Sequence, residues 1–342
     1  MRMIQSTSFE PATLVHLVQR AAPPGARLRL LTLKDGTRLR TARWHPDARV
    51  KTRGTVLICT GRGEFIEKYF EVATDLLARG FAVVVFDWRG QGMSSRALRN
   101  GRKGHVDDFK QFEADLTAVI EEVLETECPR PFFALAHSMG GAVMLHHARS
   151  GGCAFERIVL SAPMIAIHKL PAPDALHHLS RVLALVGLGS AFVPRGDRTA
   201  VLENGFDDNV LTSDPVRFAD MMAVGRVESR LTIDAPTIAW FRAALDAMVP
   251  FAAADFASRI AVPILMVVPG HDRVVSVSAM ERFGRQLKGG TCITIPGARH
   301  EILMERDELR DQFWAAFDAF IPGSVSPNRT ALAESVSAGV GR

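Results

Sequence analysis

A chain of 342 residues, 47% hydrophobic and 23% charged, is long enough to bury its own core without disulfide or metal staples. The formal charge of +4 is mild and spread along the chain. No basic cluster is interleaved with aromatic residues, which excludes nucleic-acid binding as an expectation and leaves weak attraction to anionic membranes as the alternative to a merely solvated surface.

The first twenty residues lack a continuous apolar run of signal-peptide length. Residues 1 to 25 read as a short helix ending in a Pro-Pro-Gly turn. Arg27 to Leu33 and Arg38 to His45 read as strands, and Lys34-Asp35-Gly36 between them is a hairpin signal. Strands and helices then alternate. Thr55 to Thr60 is a strand, Glu64 to Arg79 a helix ended by Gly80, and Phe81 to Phe86 a buried strand. Asp107 to Glu127 is a long helix stopped by Cys128-Pro129. Phe132 to Ala136, Met139 to Arg149 and Arg157 to Leu160 follow as strand, helix and strand. Unbroken apolar strands alternating with helices predict a mostly parallel central sheet with helices on both faces.

The rhythm changes after Pro163. Residues 164 to 255 carry helical segments and no good strand, with helices opening at Asp214-Pro215 and Ala235-Pro236. In the second, Ile238, Phe241, Leu245 and Met248 share a face. The longest apolar run, Val182 to Val193, is broken by glycines and too short to cross a bilayer. Alternation resumes with strand Pro263 to Val268, a helix near Val277 to Leu287, strand Cys292 to Ile295 and a helix from Asp307 to Phe320. The expected domains are therefore a core of residues 1–163 and 256–322, a helical cap insertion of 164–255, and a disordered Ser/Ala/Gly-rich tail of 323–342. Cys59, Cys128, Cys153 and Cys292 fit neither a zinc site nor a redox pair, so a reducing, cytoplasmic compartment is expected, with peripheral contact at the inner membrane face left open.

The strongest chemical signal is Ala136-His137-Ser138-Met139-Gly140-Gly141, between a buried strand and a helix. A sharp strand-to-helix turn lifts a serine hydroxyl above the sheet, and its tight backbone demands small neighbours. Ala136 stands where the usual Gly-x-Ser-x-Gly pattern has its first glycine. The plainer reading of Ser138 is a helix cap. A serine nucleophile needs a base, and the base an orienting carboxylate, each on a loop after a late strand. Asp272 follows strand 263–268 and His300 follows strand 292–295. His271 is the rival histidine and Asp246 the rival acid. His300-Glu301 begins like a zinc-protease helix but lacks the second histidine, so no metal is expected. Oxyanion donors are expected at the backbone N–H groups of Met139 and Arg62, the latter in the glycine-containing loop Thr60 to Glu64, whose plainer reading is a simple turn. Gly90-Gln91-Gly92 lacks the third glycine of a dinucleotide loop and is expected to shape the site's rim. Trp240, Phe241 and Met248 are candidate acyl-chain contacts, with plain core packing as the competing reading.

These motifs carry a resemblance. Gly61-Arg62-Gly63-Glu64 with Lys68-Tyr69, Asp87 to Ser94, Gly104 to Phe109, the Ser138 elbow, Gly270 to Val274 and His300-Glu301 resemble the monoacylglycerol lipase and bacterial lysophospholipase L2 branch of the α/β-hydrolases, over roughly residues 27 to 321. Thr60 departs from it, standing where many relatives have a histidine. The resemblance implies the α/β-hydrolase fold, the triad Ser138, Asp272 and His300, the oxyanion pair Arg62 and Met139, a helical cap, a lipid-like ester substrate and no cofactor. Another small-ester or amide hydrolase on the same scaffold, and a catalytically silent binding module, are the alternatives. Oligomeric state is not legible.

Overall fold

The computed structural model describes residues 13–16, 21–194, 205–253 and 255–324. The proposed helix before residue 25 and the tail from 325 onward lie largely outside these. An eight-stranded sheet runs through the described chain in the order β1-β2-β4-β3-β5-β6-β7-β8. Its strands are β1 (Arg27–Thr32), β2 (Arg38–Trp44), β3 (Thr55–Cys59), β4 (Ala82–Phe86), β5 (Phe132–His137), β6 (Arg157–Ser161), β7 (Ile264–Pro269) and β8 (Gly290–Ile295). β1 and β2 form the antiparallel hairpin expected at Asp35-Gly36, and β2 pairs antiparallel with β4. All other pairings are parallel. β3, β4, β5 and β7 are buried at every residue, which is why they read as unbroken apolar runs.

The helices are α1 (Phe70–Ala78), α2 (Lys110–Val119), α3 (Glu125–Glu127), α4 (Ser138–Arg149), α5 (Pro173–Leu183), α6 (Pro215–Val227), α7 (Ile238–Met248), α8 (Val277–Gly284) and α9 (Asp307–Phe320). One apolar cluster joins α2, α4 and α8 to one face of the sheet through Phe112, Leu116, Met144 and Phe283. A second joins α1 and α9 to the other face through Phe70, Leu76, Phe313 and Phe317. Such double covering is the architecture that parallel strands require.

Several boundaries differ from the sequence reading. The helix expected from Glu64 starts at Phe70, after a 3₁₀ turn at Ile66–Tyr69, because Asp87 Oδ1 accepts the Ile66 N–H at 2.9 Å and Phe65 is extended. The helix expected over 107–127 starts at Lys110 and is interrupted by a π turn at Ile120–Leu124. Ala235-Pro236 does not open α7; Thr237 caps it, its hydroxyl accepting the Trp240 N–H at 3.2 Å. Asp214 caps α6 ahead of Pro215 as expected, accepting from Val216 and Arg217. Between β6 and β7 the described residues form helices and turns, and only isolated bridges, Ile167 with Val275 and Phe192 with Thr237.

Candidate active site

Ser138 sits at the junction of β5 and α4. His137 is extended, and Ser138 turns into the left-handed region at φ 51°. A non-glycine residue there costs about 1–3 kcal/mol, which the surrounding packing must offset. That packing is tight. A Cβ on Gly140 would lie 2.5 Å from the carbonyl oxygens of Cys59 and Thr60, and one on Gly141 would lie 2.8 Å from Pro163 Cβ. The Ala136 methyl, by contrast, is absorbed into the core beneath α4.

The turn delivers Ser138 to a polar chain spanning three loops. Ser138 Oγ–H donates to His300 Nε2 at 3.0 Å, and His300 Nδ1–H donates to Asp272 Oδ2 at 2.7 Å. Asp272 Oδ1 accepts the N–H groups of Val274 and Val275 at 2.7 and 2.9 Å. Burial pushes the Asp272 carboxyl up, but the His300 charge, its hydrogen bond and these two amides together hold it below the ordinary value. All three side chains are buried. The rivals are elsewhere. His271 is exposed. Asp246, on α7, pairs with His177 at 2.7 Å.

The loop after β3 is braced from several sides, with no histidine at position 60. Gly61 N–H donates to Glu64, Gly63 N–H donates to Gln91 Oε1, and Trp88 Nε1–H donates to the Thr60 carbonyl at 2.8 Å. Side-chain acceptors thus occupy the amides on both sides of Arg62. Asp87 anchors the segment that supplies Trp88 and Gln91, accepting from Arg40 Nε at 2.7 Å and from the Ile66 and Met93 amides. Gln91, within the Gly90-Gln91-Gly92 motif, therefore braces the loop after β3.

A buried ionic group beneath this loop was quoted in the sequence only as motif letters. Lys68 Nζ lies 2.6 Å from both Glu64 Oε1 and Glu301 Oε1, and Tyr69 O–H donates to Glu64 Oε2 at 2.7 Å. Burial works against ionising Glu64, but Lys68 and His137 bring its pKa below the ordinary value; Glu301, also buried, is pushed above it, the Lys68 charge notwithstanding. Lys68 stays charged, because the two carboxylates outweigh its desolvation. His137, whose ring centroid is 4.8 Å from that of His300, is driven down to about 4, chiefly by burial, with Glu64 opposing. It donates Nδ1–H to the Ser161 carbonyl at 3.1 Å. The available sequence signal was the Glu64/Lys68 spacing, normally read as a solvated i, i+4 pair.

A cavity of about 230 Å³ opens above Ser138 and His300. Arg62 and Lys68 line it beside an apolar wall of Leu211, Met221, Ile233 and Val274. Trp240, Phe241 and Met248 are not among its lining residues. Trp240 packs against Phe109, Phe241 is half-buried against the core, and Met248 lines a separate cavity of about 510 Å³ with Ile165, Leu170 and Phe283. Leu211 and Ile233 lie in loops, where no periodicity marks them.

The sheet order, the strand-to-helix turn and the Ser138–His300–Asp272 chain are those of the α/β-hydrolase class. Within it, a family model described as Hydrolase_4, serine aminopeptidase S33, matches residues 50–307, and the chain belongs to that family. It is 32% identical over 285 residues to lysophospholipase L2 of Escherichia coli K12, covering 80% of this chain and 82% of that protein. It is 31% identical over 169 residues to the monoglyceride lipase of Saccharomyces cerevisiae, covering 48% of this chain and 50% of that protein. The crystal structure of a soluble variant of that yeast lipase with a substrate analogue superposes with a TM-score of 0.67 at 21% identity, covering 91% of this chain and 97% of that one.

Proposed function

We propose that the chain hydrolyses the carboxylic ester of a lipid-like substrate, a lysophospholipid or a monoacylglycerol, through an acyl-enzyme at Ser138. The observation that carries this is the continuous chain of 3.0 and 2.7 Å hydrogen bonds from Ser138 through His300 to Asp272, at the floor of an apolar-walled cavity. The names of the lysophospholipase and lipase relatives support the substrate class. His300 takes the Ser138 proton as Oγ attacks the ester carbonyl, and Asp272 holds the imidazole and balances its cation. The Arg62 and Met139 amides stabilise the oxyanion. His300 then protonates the leaving alcohol, and water, deprotonated by His300, releases the acid.

Residues 164–255 act as a cap that selects substrate, supported by the positions of Leu211, Met221 and Ile233 on the cavity wall. Peripheral membrane contact, from a cytoplasmic location, is supported by the exposed Leu179, Val182, Leu185, Val186 and Leu188 on α5 and the turn after it. No described helix is long and apolar enough to cross a membrane. Amide hydrolysis is the second reading, favoured by the aminopeptidase description of the family. A fluorophosphonate tests the site: mass spectrometry should find the label on Ser138, and label on another serine overturns the assignment. A panel of monoacylglycerols, lysophospholipids, short aryl esters and aminoacyl amides tests the substrate. Turnover confined to the amides overturns the lipid reading.

A further inference from the structure

Two side-chain cations line the cavity above Ser138, and they differ in their surroundings. Lys68 is bridged by two carboxylates at 2.6 Å. Arg62 has no such partner. Its Nη2 donates to the Asp234 main-chain carbonyl at 2.7 Å, its face lies over the Trp240 ring at 5.0 Å, and its buried Nε has no hydrogen-bond partner among the described residues. The Asp234 carboxylate, whose charge acts on Arg62, is paired with Arg102 at 2.7 Å. Burial draws the Arg62 pKa down to about 10 against the charge of Asp234, which still leaves the guanidinium charged at neutral pH. A guanidinium held by a neutral carbonyl and an aromatic ring, in the cavity that Ser138 lines, can accept an anion.

We propose that the Arg62 guanidinium is the specificity determinant that binds the phosphate of the substrate head group, making phosphate-bearing monoacyl esters the preferred substrates over neutral monoacylglycerols. This rests on the ester-hydrolase reading of the site. Arg62 joins two tasks in one residue. Its backbone N–H is the proposed oxyanion donor, and its guanidinium carbon stands as many bonds from that nitrogen as the phosphorus of a 1-acyl glycerophospholipid stands from its ester carbonyl carbon. Arg62 and Ser138 line the same cavity, so a substrate of that length can meet both. The Asp234 carbonyl and Trp240 hold the guanidinium in place before substrate arrives, which spares ordering entropy on binding. The planar fork suits a phosphate better than an ammonium does.

The test compares kcat/KM for a lysophospholipid and a monoacylglycerol of the same acyl chain, using the full-length chain, Arg62→Met and Arg62→Lys. The wild type is expected to prefer the lysophospholipid. Arg62→Met should shrink that preference about tenfold or more, mainly through the KM of the lysophospholipid, and Arg62→Lys should recover part of it. A preference unchanged in Arg62→Met, with melting temperature preserved, overturns the proposal, as does a wild type without preference. A second measurement covers a variant that fails to fold. Glycerol 3-phosphate should inhibit wild-type aryl-ester hydrolysis competitively where glycerol does not, and inorganic phosphate separates the phosphate's own contribution from that of the glycerol. Absence of inhibition by either anion also overturns the proposal. Aryl-ester turnover with neither lipid cleaved would instead remove the lipid reading beneath it, a distinguishable failure.

Discussion

The carboxyl ends of the parallel strands and the stretch between β6 and β7 present different side chains to the cavity, mainly polar from the first and mainly apolar from the second. At the strand ends Glu64, Lys68, Asp87, Asp272 and His300 are all buried, and each is tied by hydrogen bonds or ion pairs of 2.6 to 2.9 Å. In the stretch between β6 and β7, Met221 and Ile233 meet the cavity through apolar surface, and Leu179, Val182 and Leu185 face solvent. Directional polar contacts fix atoms to within tenths of an ångström, as proton transfer and oxyanion binding require. Apolar contact fixes only volume and shape, which suffices to choose among acyl chains. Perturbing the first region should damage every reaction equally, while perturbing the second should change which substrates are used.

The sharpest test is the triad. Ser138→Ala and His300→Ala should each lower kcat by roughly 10⁴-fold or more, and Asp272→Asn nearly as much, on lipid and aryl esters alike. The losses should not multiply in double variants, because the three act as a unit. Near-normal kcat in folded Asp272→Asn, from steady-state kinetics, would remove that carboxylate from the mechanism.

Next is the ionic group beneath the loop after β3. Lys68→Met leaves Glu64 and Glu301 buried without their shared cation, and breaking such an arrangement costs about 3–5 kcal/mol. Urea denaturation should register that loss, and ester hydrolysis should fall for both substrate types as Gly61 loses a firmly held acceptor. Unchanged stability would mean that one glutamate simply takes up a proton.

A smaller and selective effect is expected in the cavity wall. Ile233→Trp or Met221→Trp should reduce long-chain kcat/KM about tenfold, equivalent to ~1.4 kcal/mol, with a clearly smaller change on a short aryl ester. Equal losses on both substrates at unchanged melting temperature would break the division of labour between the two regions.

The smallest effect concerns pH. His137 titrates at about 4 in the fold, below its ordinary 6.5, mainly through burial. Between those values the unfolded chain binds a proton that the native state refuses, so stability falls as pH drops from about 6.5 toward 4. His137→Asn should flatten the melting temperature over that window. An identical pH profile in wild type and variant would assign the acid sensitivity to other groups.

Much of the fold was legible because burial on both faces of a parallel sheet leaves a plain mark, a run of apolar residues between turn signals. α9, expected from about Asp307 to Phe320, spans those residues, and the strands were read to within one or two residues. The π turn at Ile120–Leu124 left no mark, since its residues continue an ordinary helical pattern. Ser138, Asp272 and His300 stood out because each follows a strand in a chemically recognisable order, and the structure brings them together.

The sequence by itself determined the alternation of elements, the strand-to-helix turn at Ser138 and the identity of the residues that meet there, because these depend on local spacing and side-chain type. Only the tertiary structure decided what the remaining charges do. Lys68 lies between Glu64 and Glu301, and its second partner is more than two hundred residues away along the chain. Trp240 looked like an acyl contact, but it lies beneath the Arg62 guanidinium, while Leu211 and Ile233 from unpatterned loops line the cavity. Periodicity reports which face of an element is buried; it carries no information on which distant group buries it, and that pairing sets both the charge state of a buried ion and the shape of a cavity.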